Sequence, residues 1–172
     1  MATKVNFKGK PVSLKGDVLQ PVMHAPDFTF VLQDLSESSL KTFAGKVIVV
    51  IAVPSLDTGV CALETKTFNK KFLEFGDKAQ GIIISKDLPF AMKRFCETEN
   101  IHNVLMASDF RYNEFAERYN ALMAEGPLKG LLARIVWVID SKGNIVFTHI
   151  VDEITSEPDY QAVLEQVKKL LI

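Results

Sequence analysis

Only two cysteines, Cys61 and Cys96, occur in this chain. An unpaired cysteine either fills space as a small apolar side chain or, when ionised, acts as a nucleophile. The stretch PSLDTGVC, Pro54 to Cys61, points to the second use for Cys61. It follows an apolar run and opens an amphipathic segment, so Cys61 falls in the first turn of a helix. Unpaired backbone N–H groups and the positive end of the helix dipole favour a negative charge there. Thr58, three residues earlier, can turn its hydroxyl toward the same point as the sulfur, and Pro54 ends the preceding strand so that the loop passes over that point. RFCETEN, by contrast, sets Cys96 beside Phe95 on an ordinary amphipathic helix, where the local pattern reads it as packing.

Other polar residues offer less. His24, His102 and His149 are scattered without metal-ligand spacing and predict no metal site. Glu64, Lys66, Lys70 and Lys71 read as a solvated helix face, with Glu64 near Cys61. Phe110, Tyr112, Phe115 and Tyr119 suit a core or a dimer contact equally, and Gly126 to Gly130 suits a substrate rim or a plain connection.

These groups must be held by a scaffold, and its elements can be read in order. The 172 residues, 48% apolar and 24% charged, are those of one globular domain spanning 1–172. KVNFKGKPVSLKGD, residues 4 to 17, alternates around Gly-Lys-Pro and predicts a hairpin of two exposed strands, an appendage within residues 1–18. APDFTFVLQDL is a further extended piece. KVIVVIAV, Lys46 to Val53, has the β-branched density of a strand buried on both faces. Val60, Leu63, Thr67, Phe68, Phe72 and Phe75 then recur at helical spacing until Gly76. GIIIS is a strand, Asp87 with Pro89 starts a helix through PFAMKRFCETEN, and NVLMAS is a strand. YNEFAERYNALM reads as helix. RIVWVID and NIVFTHIV, joined by Ser141-Lys142-Gly143, pair antiparallel, and PDYQAVLEQVKKLL is a last helix capped by Ser156 or Asp159. The order is that of an α/β fold with a mixed β-sheet flanked by helices.

Pro54, Thr58 and Cys61 fit the Pro-x-x-x-Thr-x-x-Cys signature, and the chain resembles the peroxiredoxins on that ground. PSLDTGVC, SKDLPFAMKRFC, EGPLKGLLARIVWVID, VDEITSEPDY and the opening hairpin together are similar to the bacterial thiol peroxidase subgroup, atypical two-cysteine enzymes, over essentially the whole chain. The resemblance implies a thioredoxin-like fold with no metal and no bound cofactor. It assigns Cys61 as the peroxidatic cysteine and Cys96 as the resolving cysteine of the same chain. Arg134 becomes the arginine that holds thiolate and peroxide, with Thr58 and Pro54 completing the site. Hydroperoxides are the implied substrates, thioredoxin the reductant, and a homodimer the assembly.

Chemistry limits how those roles divide. A cysteine of ordinary pKa, about 8.5, is only ~3% ionised at pH 7, whereas one at about 6 is ~90% ionised. With a Brønsted slope near 0.45 the same fall costs about tenfold in intrinsic nucleophilicity. Most of any acceleration must therefore come from aligning the O–O bond and stabilising charge on the departing oxygen.

Composition bounds the partners. Lys plus Arg, 20, nearly balance Asp plus Glu, 21, and no basic block predicts nucleic acid binding. No apolar run reaches the ~18 residues of a membrane helix, and the N-terminus lacks a signal-peptide core, so the expected location is the cytoplasm. Two competing functions remain open: a thiol–disulfide oxidoreductase, disfavoured because no second cysteine stands at Cys-x-x-Cys spacing, and a redox-sensing module switched by its disulfide.

Overall fold

Six consecutive apolar residues form β5, Val47–Ala52, in the computed structural model, which describes residues 1–172. All six are buried, because the strand is paired on both edges and covered on both faces. Its alternation divides the core: Ile48, Val50 and Ala52 enter a cluster with Phe28, Phe115 and Trp137, while Val49, Ile51 and Val53 enter one with Cys61, Phe68 and Cys96.

β6 (Ala79–Ser85) and β7 (Val104–Ser108) continue the sheet in parallel, each reached by a crossover helix, α1 (Gly59–Phe72) and α2 (Pro89–Glu99). β8 (Ile135–Ile139) pairs antiparallel with the other edge of β5, and the predicted tight turn brings back β9 (Ile145–Ile150). The antiparallel character extends to both edges. APDFTFVLQDL supplies β3 (Thr29–Val31), on which the residues just beyond it fold back as β4 (Glu37–Ser39), giving the order β4-β3-β7-β6-β5-β8-β9. The sheet is thus mixed and flanked by helices, a thioredoxin-like arrangement with an additional N-terminal antiparallel hairpin, β1 (Lys4–Phe7) and β2 (Lys10–Ser13). That hairpin is less of an appendage than its pattern suggests: Val5, Val12 and Leu14 are buried in the cluster that contains Trp137.

Two local readings are corrected and one open alternative is resolved. The buried face of α1 runs through Cys61, Glu64, Thr65, Phe68 and Phe72, so Leu63, read as core, is 46% exposed. The helix around Phe115 is short, α3 (Glu114–Tyr119), bracketed by Asn113 and Asn120 at φ of 59° and 55°. Residues 121–123 leave it as extended chain, where Leu122 bridges Leu132 and Met123 bridges Leu14. Asp159, not Ser156, caps α4 (Tyr160–Leu170), its carboxylate accepting from the Ala162 N–H at 3.1 Å. Phe115 and Tyr119 stack on each other and meet Trp137 edge-on, which settles them as core, whereas Phe110 and Tyr112 are exposed. No helix is long and apolar enough to cross a membrane.

Candidate active site

Cys61 occupies the third position of α1, and Thr58 is the N-cap. The Thr58 hydroxyl accepts from the Cys61 N–H at 3.4 Å and donates to the Ser55 carbonyl at 3.0 Å. It therefore fixes the turn that carries the sulfur, a use of Thr58 that its spacing from Cys61 also permits. Pro54 is buried directly after β5, and Asp87 ties down the loop that follows. The Asp87 carboxylate accepts from the Ser55 hydroxyl and the Leu56 N–H, both at 2.8 Å, and from the Ser85 hydroxyl at 2.7 Å. Sequence reading gave Asp87 only a helix-start role, yet Leu88 is the N-cap of α2. Two polar residues at and just beyond the end of the Ile82–Ile84 run, Ser85 and Asp87, were the available signal.

Register brings the arginine in. Ile135 pairs with Ala52, so Arg134 enters at the carboxyl end of β5, where α1 begins. The side chain is 2% exposed, with Nη1 3.4 Å from the Cys61 sulfur and 2.6 Å from Glu64 Oε2. Nε and Nη2 both donate to the Ile154 carbonyl, at 3.0 and 2.8 Å. The fork is held from behind, and one amino group faces both the sulfur and a carboxylate.

Glu64 is not part of the solvated face that Lys66, Lys70 and Lys71 form. It lies one turn beyond Cys61, completely buried, and its Oε1 has no hydrogen-bond partner. Burial pushes its carboxyl up to about 7, against the opposing pull of the Arg134 charge. Burial also works against the Arg134 cation, but Glu64 and the Cys61 sulfur hold its pKa above the ordinary guanidinium value.

Cys96 is a free, buried thiol near the end of α2. Burial, with Glu97 adding to it, pushes this thiol up to about 11. It borders a cleft lined by Asp34, Asn100, Ile101 and His102, of which Ile101 alone shares with Cys96 the apolar cluster that contains Cys61. Helical rise sets it about 10 Å along α2 from Pro89, near which α2 meets the Cys61 loop through Asp87. The structure thus gathers Pro54, Thr58, Cys61, Arg134 and Glu64, and leaves Cys96 one helix away. Gly126 to Gly130 packs instead beside the hairpin, where Glu125 accepts from the Ser13 N–H at 2.8 Å. The three histidines stay apart: His24 bridges Asn144, His102 lines the cleft, and His149 accepts from the Asp159 N–H at 3.0 Å.

A sulfur at a helix N-terminus beside a fixed guanidinium is arranged to attack an electrophile whose leaving atom gains negative charge. Comparison with known proteins agrees with such chemistry. A family model described as Redoxin matches residues 20–164. The chain is 51% identical over 164 residues to a thiol peroxidase of Leptospira interrogans, covering 94% of this chain and 95% of that one. It is 47% identical over 171 residues to a thiol peroxidase of Aquifex aeolicus, covering 99% and 100%. A crystal structure of a peroxiredoxin-like protein from Aquifex aeolicus superposes with a TM-score of 0.94 at 47% identity, over 99% of this chain and 98% of that one.

Proposed function

The chain belongs to the redoxin family, among the thiol peroxidases, and from that premise we propose that Cys61 is the peroxidatic nucleophile and Cys96 its resolving partner. The single observation that carries the reading is the Arg134 Nη1 contact with the Cys61 sulfur, 3.4 Å, at the start of a capped helix. The Cys61 thiolate attacks the terminal oxygen of a hydroperoxide, the S–O bond forms as the O–O bond breaks, and the sulfur loses two electrons to the departing alkoxide or hydroxide. Arg134 stabilises that developing charge, and the leaving oxygen takes a proton to become alcohol or water. Thr58 acts through the Cys61 turn that it caps, and Pro54 shapes the loop over it.

The sulfenic acid on Cys61 then condenses with the Cys96 thiol, forming the S–S bond and releasing water. A disulfide needs Cα atoms within about 7 Å, and the two cysteines sit on separate helices, so the first turn of α1 or the end of α2 unwinds to close it. A dithiol reductant, thioredoxin, exchanges with this disulfide and restores both thiols. The cycle balances without a metal or bound cofactor. Exposed Leu63, Leu88, Phe90 and Phe110, all at the carboxyl end of the parallel strands, favour a homodimer formed beside the site. A cytoplasmic location suits two free thiols.

Rapid mixing with hydrogen peroxide tests the roles. Cys61→Ser should abolish turnover, while Cys96→Ser should oxidise once and then fail to recycle with thioredoxin and its reductase. Full turnover by Cys61→Ser would end the assignment, and sustained turnover by Cys96→Ser would remove Cys96 from the cycle.

A further inference from the structure

The direction of Nη1 depends on a residue remote from the chemistry. Because Nε and Nη2 of Arg134 share the Ile154 carbonyl, the position of that oxygen sets where the rest of the fork points. Ile154 lies in neither helix nor strand, in the connection between β9 and α4. The N-terminal hairpin holds it there. The Ile154 N–H donates to the Asn6 carbonyl at 2.8 Å, and the Asn6 N–H donates to the Asp152 carbonyl at 2.7 Å. Glu153, between them, receives the Gly9 N–H at 2.7 Å and the Lys8 N–H at 3.2 Å in the β1–β2 turn, together with the N–H and hydroxyl of Thr155. Val5 and Val12 are buried, so the hairpin that reaches this connection is itself anchored in the core.

We propose that the β1–β2 hairpin, linked through Asn6 and Glu153 to the Ile154 carbonyl, positions Arg134 against the Cys61 sulfur, and that Glu153 is a positioning residue of the peroxidase reaction. This rests on the reading of Arg134 as the group that steers the peroxide. A hairpin that only covered the core would contribute to stability and leave the oxidation step alone. A positioning hairpin must act on that step, and only through the arginine.

A double-mutant cycle separates the two. Oxidation of Cys61 by hydrogen peroxide is followed by rapid quench and mass-spectrometric detection of the sulfenic acid, in a Cys96→Ser background, for Glu153→Ala, Glu153→Gln, Arg134→Lys and Glu153→Ala with Arg134→Lys. Glu153→Ala should slow the second-order step about fivefold. Glu153→Gln, whose amide oxygen still accepts from the turn, should stay within about twofold. On the Arg134→Lys background Glu153→Ala should change the rate by less than about twofold, because the fork it positions is gone. A wild-type rate for Glu153→Ala, or an equal slowing on both backgrounds, overturns the hairpin's role while leaving a slow Arg134→Lys to support the arginine. A wild-type rate for Arg134→Lys overturns the arginine reading and the inference built on it.

Discussion

Replacing Glu64 by Gln should remove a pH dependence of stability that the wild type carries. Glu64 is 0% exposed, with Oε2 held 2.6 Å from Arg134 Nη1 and Oε1 unpartnered. Burial raises its pKa more than Arg134 lowers it, so the folded carboxyl titrates at about 7 against an ordinary 4.5. A carboxyl whose folded pKa is raised binds its proton more tightly in the folded state. Stability is then greatest below the unfolded value and falls as pH rises, until the loss is complete above the folded value. At 1.36 kcal/mol per pKa unit, the loss is about 3 kcal/mol. The amide of Glu64→Gln keeps an oxygen for Arg134 and carries no charge at any pH. Urea unfolding of the reduced protein from about pH 4.5 to about pH 8 measures both stabilities, and groups uncoupled to Glu64 cancel in their difference. That difference should move in favour of the variant by about 3 kcal/mol across the range. A difference that stays flat would show that Arg134 already keeps the Glu64 carboxylate ionised throughout, refuting the balance of burial over charge.

Two further outcomes follow from the same cluster. Thr58→Val removes the acceptor of the Cys61 N–H and should cost about 1 kcal/mol, lowering Tm by roughly 2–4 °C, while Thr58→Ser retains the cap; equal melting of the two variants in a thermal shift assay would deny the capping role. Amide hydrogen exchange of the oxidised protein should show lost protection in the first turn of α1 or the last turns of α2 relative to the reduced form. Unchanged protection in both segments would mean that a Cys61–Cys96 bond closes without unwinding.

Features with a short-range cause were legible in the residues themselves. A β-branched run bounded by Pro54 had to be a buried strand, and Cys61 three residues beyond Thr58 had to open a helix, because both depend on neighbours within a turn or two. The Ser141-Lys142-Gly143 turn likewise dictated an antiparallel β8–β9 pair. Arg134 is different. It stands 73 residues from Cys61, so only the family resemblance singled it out in advance, and the register of β8 against β5 decided where it lies.

Tertiary structure alone decided the phase of α1 and the environment of its charges. Helical period reads Leu63 as core and Glu64 as solvated, but Arg134 arriving from the sheet gives a buried carboxylate a partner, and the helix turns to present Glu64 while Leu63 faces out. What Asp87, the Ile154 carbonyl and the hairpin hold in place is hidden from the sequence for the same reason: each acts on a loop distant along the chain, through hydrogen bonds that leave no periodic trace. Local spacing determines which side chain can react. The sheet register determines which charge it meets, because that meeting depends on strands whose order no single segment encodes.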